Sequence, residues 1–323
     1  MTRQSKNSAS TKRKNIPFYE ELISKSKDHL EPLKTAVVNP VDKNSLEGAI
    51  ETAKKKFIDP ILIGDEDEMR KVAEEAGLDI SAFEIISTKH SHEAAQKAVD
   101  LAREGKVDAL MKGYIHTDEL LHAVVKKENG LRTLRQISHV FVMDVPNENY
   151  PKPLWLSDAA VNIQPTLKQK RDIVQNAIDL FRACGFGTPK VAILSATEQI
   201  TENIQSTIEA AALSKMAERG IITGGIVDGP LAFDNAISKD AAKAKHIKSE
   251  VAGDADILIV PDLESGNMLY KQMKFLSGYN AAGVVVGARV PIILTSRASD
   301  LQPRLASSAL AQLYAHNKET SIL

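Results

Sequence analysis

Hydroxyl, guanidinium and ammonium groups set where apolar runs stop are the residues of this sequence best suited to chemistry. In Val290 to Leu305, VPIILTSRASDLQPRL, an apolar strand Val290 to Leu294 is predicted to deliver Thr295-Ser296-Arg297 to its carboxyl end. Ala298-Ser299-Asp300 then turn toward a closing helix. Open α/β sheets bind ligands at such ends. A planar guanidinium fork beside a hydroxyl suits a tetrahedral oxyanion such as phosphate, with Arg297 and Ser296 as donors. The same residues also read as a helix N-cap beside a solvated Arg, and on this stretch alone both readings stay open.

A second signal lies in Met111 to His122, MKGYIHTDELLH. Lys112 and Gly113 fall where a strand stops, and Thr117 is predicted to cap the next helix, so an ammonium and a backbone nest would face one crevice. A solvated strand end is the alternative. In Gly130-Leu131-Arg132-Thr133-Leu134-Arg135 two guanidiniums precede a strand; Arg132 is assigned to the cleft and Arg135 to solvent. Gly266-Asn267 opens a helix carrying Lys271, and a glycine there lets backbone N–H groups approach a ligand. Asp228, Asp234, Asp262 and Glu264 sit beside Gly or Pro or at helix starts, which reads as turn chemistry before paired acids. His116 and His122 are not i, i+4 partners, and no metal site is assigned.

Strand alternating with helix from Pro17 onward is expected to position these groups, as in a parallel sheet covered on both faces. The predicted strands are Thr35 to Val38, Ile61 to Asp65, Phe83 to Ser87, Ala109 to Gly113, Ile137 to Met143, Leu154 to Leu156, Lys190 to Leu194 and Ile257 to Val260. Ser45 is predicted to cap a helix through Lys55, with Asp59-Pro60 as punctuation, and Gly77 to end a helix in the left-handed conformation. Pro165 is expected to open a helix from Leu167 to Cys184. Asn280 to Val286, NAAGVVV, is core or interface. The expected organisation is a disordered tail 1–15, a first α/β domain of 16–153 plus 296–323, and a second of 154–295.

Composition excludes several function classes. In 323 residues, 41 basic and 42 acidic side chains give a net charge of −1, so nothing global favours nucleic acid, and any anion site must be local. No apolar run approaches the roughly twenty residues of a membrane span. Cys184 is the single cysteine, which fits a reducing compartment, with cytoplasm as the expectation. Met1 to Asn15 is polar and basic without an apolar stretch, so it is read as a solvated tail and not as a secretory signal.

Eight ordered blocks together carry a resemblance to the phosphate acetyltransferase and phosphate butyryltransferase family, from about Phe18 to about Tyr314. They are ILIGD at Ile61, ALMKGYIHT at Ala109, GLRTLRQISHV at Gly130, LSDAAVNIQPT at Leu156, VAILSATE at Val191, DGPLAFDNAI at Asp228, PDLESGNMLYK at Pro261 and LTSRASD at Leu294. The resemblance implies two α/β domains with a cleft between them, of the isocitrate and isopropylmalate dehydrogenase kind. It also implies a homodimer and reversible transfer of an acyl group, acetyl or alternatively butyryl, between coenzyme A and inorganic phosphate. CoA and acyl-CoA enter as substrates, and no bound cofactor or metal is implied. The CoA thiolate would attack the acyl phosphate carbonyl and phosphate would leave. The family's Ser-Arg pair matches Ser296 and Arg297, while the position of its proposed base holds Pro303, leaving Asp300 as the nearby carboxylate. Lys112 and Arg132 join Ser296 and Arg297 as expected phosphate ligands, and Gly266, Asn267 and Lys271 are the expected CoA contacts. Two other classes stand beside this reading. A metal-dependent decarboxylating dehydrogenase of the same fold would need clustered acids and a dinucleotide loop; a non-catalytic binding protein would follow if Pro303 has removed the base.

Overall fold

Turn and cap residues cut the chain into elements short enough to stack side by side. In the computed structural model, which describes residues 18–27, 30–146, 150–294 and 301–318, the elements run α1 (Phe18–Lys27), β1 (Leu33–Val38), α2 (Lys43–Lys54), β2 (Ile58–Gly64), α3 (Glu66–Ala76), β3 (Glu84–Ser87), α4 (Ser91–Arg103), β4 (Ala109–Lys112), α5 (Thr117–Val125) and β5 (Ser138–Asp144). They continue with β6 (Leu154–Ser157), α6 (Leu167–Ala183), β7 (Lys190–Leu194), α7 (Gln205–Glu218), β8 (Ile226–Leu231), α8 (Phe233–Ile237), α9 (Lys239–Ala244) and β9 (Ile257–Ile259). The last are α10 (Leu263–Lys271), a π-helical turn Gln272–Leu276, β10 (Asn280–Val286), β11 (Ile292–Ile293) and α11 (Leu301–Asn317).

Local chemistry explains most boundaries. Gly77 ends α3 at φ 67°, in the left-handed region expected of it. Thr166 and Gln169 close a capping box at the start of α6. Asp42, not Ser45, caps α2: its carboxylate accepts from the Ser45 backbone N–H at 3.3 Å, two acceptor oxygens outcompeting one hydroxyl. Likewise Thr117 is the first residue of α5, and His116 holds the N-cap position without a side-chain bond. Asp59-Pro60 lies inside β2. Pro60 stands opposite Thr35 of β1, while pairing with β3 begins only at Ile61, so its missing N–H falls where β2 has a single neighbour. The strand expected from Val290 to Leu294 contracts to Ile292–Ile293 because Pro291 has no N–H and contributes only its carbonyl, to Leu110 N–H at 3.1 Å.

Among the described residues, eleven strands form one sheet in the order β3-β2-β1-β4-β11-β10-β5-β6-β9-β7-β8. It is mixed, which corrects the parallel expectation. β10 runs antiparallel to both β11 and β5, and β5 is antiparallel to β6, while the two wings are parallel. The apolar runs of β5 and β10 gave no orientation signal, because a strand covered on both faces reads alike in either direction.

The two faces are covered differently. On one, α1, α2, α3, α6, α7 and α11 share a single apolar group with residues such as Val37, Met111, Val140, Trp155, Ile257 and Val284. On the other, α4 and α5 pack over Val38, Leu110, Val285 and Ile292, and a separate group joins Phe141, Leu156, Leu258 and Ala281 to Ala236 and Met273. His139 and Gly283 lie where the two groups meet, His139 opposite Val285 and Gly283 opposite Phe141.

Candidate active site

Of the sequence-predicted groups, the divided face carries Lys112. Leu110, Ile292, Val285 and His139 form a row across β4, β11, β10 and β5. Lys112 lies two residues beyond Leu110 and so on the same face, 7% exposed, with its ammonium 3.4 Å from the Gly113 carbonyl. Gly113 is there for close approach: a Cβ would stand 2.4 Å from the Val38 carbonyl, to which Gly113 N–H donates at 2.9 Å. Tyr114 N–H donates to Asn39 at 2.8 Å, and the Asn39 amide returns a bond to the Tyr114 carbonyl at 2.8 Å. The strand ends of β1 and β4 are thereby locked together. These N–H groups are spent on that lock, so no open backbone nest forms at Lys112-Gly113, contrary to expectation.

A cavity of about 600 Å³ opens beside this lock, lined by Lys89, His90, His92 and His116 together with the carboxylates Glu68 and Glu119. The two guanidiniums before β5 differ in employment. Arg135 is half-buried in an ion pair with Asp179 of α6 at 2.9 Å, whereas Arg132 is exposed, its backbone bridged to Ala288.

Across the region, α10 is bound to the loop after β6. Asp262 caps α10 by accepting from Ser265 N–H at 2.8 Å, and Gly266 N–H donates to the Asp262 carbonyl at 3.2 Å. A Cβ on Gly266 would stand 2.6 Å from Val260 Cγ2 and 3.1 Å from Ala159 Cα, so the glycine serves helix packing. The Asn267 amide donates to the Ala159 carbonyl at 3.0 Å, and Lys271 is exposed at the far end of the helix. The remaining acids have local duties. Asp228 accepts from Gly229 N–H at 2.8 Å and Asp234 pairs with Lys245 at 3.5 Å.

Two buried polar residues of this region gave no separate signal in the sequence. Asp158, buried at the end of β6, accepts from the backbone N–H groups of His139, Ala160, Val161 and Asn162 and from the Asn162 amide. Burial pushes its carboxyl up and those bonds pull it back, with burial the larger effect. It ties the start of β5 to the loop under α10. His139 is wholly buried beside Phe141, their ring centroids 4.0 Å apart, and Phe141 stacks on Tyr270 of α10, also at 4.0 Å. Burial drives the imidazole down to about 3 from its ordinary 6.5, so it is neutral. The sequence shows it only as a polar residue inside the apolar run Ser138-His139-Val140-Phe141.

Ser296, Arg297 and Asp300 lie outside the described residues. Pro303 is the third residue of α11, where an intrahelical N–H would have no acceptor and proline costs nothing.

The class the structure defines is an α/β protein built on one mixed sheet with helices packed on both faces. The chain matches the model of the Phosphate acetyl/butaryl transferase family over residues 89–312 and belongs to that family. It is 57% identical over 303 residues to a phosphate acetyltransferase of Rhizobium meliloti, covering 94% of this chain and 95% of that one. To a phosphate butyryltransferase of Clostridium acetobutylicum it is 42% identical, covering 94% of this chain and 100% of the other. Its fold superimposes on a branched-chain phosphotransacylase from Enterococcus faecalis V583 with a TM-score of 0.74 at 28% identity, covering 88% of this chain and 100% of that structure.

Proposed function

We propose that this chain catalyses reversible acyl transfer between coenzyme A and inorganic phosphate, with acetyl as the favoured acyl group. The observation that carries the reading is family membership with 57% identity to a phosphate acetyltransferase, against 42% to a butyryltransferase. In the proposed step, Asp300 takes the CoA thiol proton and the thiolate attacks the carbonyl carbon of acyl phosphate. The C–O bond to phosphate then breaks, and the leaving dianion is held by Arg297, Ser296, Lys112 and Arg132. Asn267, Gly266 and Lys271 are proposed to flank the CoA arm. CoA and acyl-CoA are substrates in this scheme, which needs no bound cofactor. The family is the ground for the two-domain reading, 16–153 plus 296–323 facing 154–295, and for the likeness to isocitrate dehydrogenase.

A homodimer is proposed as the working state, supported by large apolar side chains left in solvent on α10 and the π-helical turn: Met268 at 65%, Phe275 at 75% and Leu276 at 82% exposure. Light scattering near the 35.2 kDa monomer mass at micromolar protein would sink it. Among the described residues no helix is long and apolar enough to cross a membrane, and a cytoplasmic setting is proposed, consistent with the buried free thiol of Cys184.

The deciding assay compares kcat/KM for acetyl-CoA, propionyl-CoA, butyryl-CoA and isobutyryl-CoA with phosphate. A methylene in an apolar pocket shifts preference by roughly ten- to two-hundredfold. Acetyl-CoA is expected to lead. Butyryl-CoA ahead by more than about tenfold would move the chain to the butyryl branch, and no thiol release with any acyl-CoA would end the acyltransferase reading.

A further inference from the structure

His139 lies on the divided face between Val285 of one apolar group and Phe141 of the other. It is 3% exposed, and neither ring nitrogen has a hydrogen-bond partner. A neutral imidazole has one N–H to donate and one lone pair to offer, and each left unmatched in a buried site costs about 1–3 kcal/mol. A phenylalanine would fill the same space without that cost, as Phe141 does two residues on. The neighbourhood is also shaped for the ring. Position 283 on β10 is glycine, and a Cβ there would lie 2.6 Å from His139 Nε2 and 2.9 Å from Phe141 Cδ1, so the imidazole leans over β10. Lys112 stands on the same face three strands away, or roughly 14 Å between backbones at the usual strand spacing. The backbone of His139 is held from both sides: Asp158 accepts its N–H at 3.2 Å, and its carbonyl accepts from the Ser157 hydroxyl at 3.0 Å. The strand is thus fixed while the ring is left unpaired.

We infer that His139 is a further substrate-binding group of this site: its ring N–H donates to the carbonyl oxygen of the acyl group and stabilises the oxyanion that forms there when thiolate or phosphate attacks. The inference rests on the acyl-transfer reading. No proton leaves the ring; the hydrogen bond shortens as the oxygen gains charge, and the attacked carbonyl reforms when the leaving group departs. An imidazole that resists protonation suits this role, because it donates as a neutral group and does not compete as a base. In the site, Lys112 serves the phosphate end of the ligand and His139 the acyl end.

His139→Phe separates this from a packing role. Steady-state rates with acetyl phosphate and CoA, and in reverse with acetyl-CoA and phosphate, are expected to show kcat reduced about a hundredfold. KM should be little changed and the melting temperature equal to wild type or higher, since an apolar ring removes two unmatched polar atoms. A variant within threefold of an active wild type would overturn the inference and leave the acyl-transfer reading intact. An inactive wild type would instead mean that the acyl-transfer reading itself had failed. If the variant does not fold, the wild-type protein labelled with ¹⁵N-histidine decides. The imidazole that stays neutral to the lowest pH is His139, and its donor nitrogen should shift when acetyl-CoA is added without phosphate. A shift with phosphate alone, or none with acetyl-CoA, would overturn the inference.

Discussion

The two faces of the sheet hold polar groups for opposite purposes. On the continuous face, buried polar side chains stitch elements together: Gln312 of α11 donates to the carbonyls of Glu31 at 2.9 Å and Lys56 at 3.1 Å and accepts from Ser26, while Arg304 reaches the Asn44 carbonyl across Gly48. The Trp155 indole N–H has no partner there but is ringed by Phe18, Phe181 and Phe186. On the divided face, Lys112 of β4 and His139 of β5 stand on either side of β11 and β10, and Ser296 and Arg297 follow β11 in the sequence. Gln312 and Arg304 are paired within the fold, whereas the His139 ring, on the divided face, is not.

The strongest way to break that contrast is a change that removes chemistry and spares the fold. Arg offers phosphate two parallel N–H groups and Lys one flexible point charge, so Arg297→Lys keeps the charge and loses the fork. We expect kcat/KM with acetyl phosphate to fall about a hundred- to a thousandfold with the melting temperature within error of wild type. A variant retaining more than half the wild-type rate would move the phosphate site to Lys112 and Arg132.

The converse change belongs to the continuous face. Gln312 is fully buried. Gln312→Ala should leave the Lys56 and Leu30 carbonyls and the Ser26 hydroxyl unmatched, Glu31 keeping His316, and destabilise the protein by about 3 kcal/mol in urea unfolding, with kcat per folded molecule unchanged. Lost activity in the folded variant would show that the two faces are not separable.

Gly266→Ala tests the border between the layers. The added Cβ meets Val260 and the Ala159 backbone at 2.6 and 3.1 Å, which should cost about 1–3 kcal/mol and push α10 off the loop after β6. If Asn267 and Lys271 flank CoA, the KM for CoA should rise in step with the lost stability. An unchanged KM would confine the glycine to packing.

The sequence disclosed some of this and concealed the rest for physical reasons. Strand-end positions such as Lys112-Gly113 and the helix stop at Gly77 were legible because local chemistry decides them. Cap identity was not: Asp42 and Ser45 both bear oxygens, and only geometry selects the carboxylate. Strand direction was hidden in β5 and β10 because burial on both faces erases the alternation that would orient them. Gly266-Asn267 stood out in the sequence as a ligand contact, whereas in the structure the Gly266 N–H and the Asn267 amide are bound within the protein, to Asp262 and Ala159. His139 passed as one polar letter in an apolar strand, since its lack of a partner is a property of four neighbouring strands and of no local pattern.

The smallest expected effect separates the two arginines before β5, which sequence could rank only by assumption. Arg135 is committed to Asp179 at 2.9 Å, with both side chains about one-fifth exposed. Arg135→Ala should therefore cost roughly 1 kcal/mol of stability and leave KM for phosphate unchanged, because its guanidinium is already engaged. Arg132 is exposed, and its backbone bridge to Ala288 survives side-chain truncation. Arg132→Ala should leave the melting temperature alone and raise the KM for phosphate severalfold, by more in low salt than in high, since an exposed charge acting on a dianion is screened. The paired measurement, melting temperature against phosphate KM for both variants, inverts if Arg135 faces the ligand. Arg132 would then be a solvated residue, and the phosphate site would draw its second guanidinium from α6's side of the sheet.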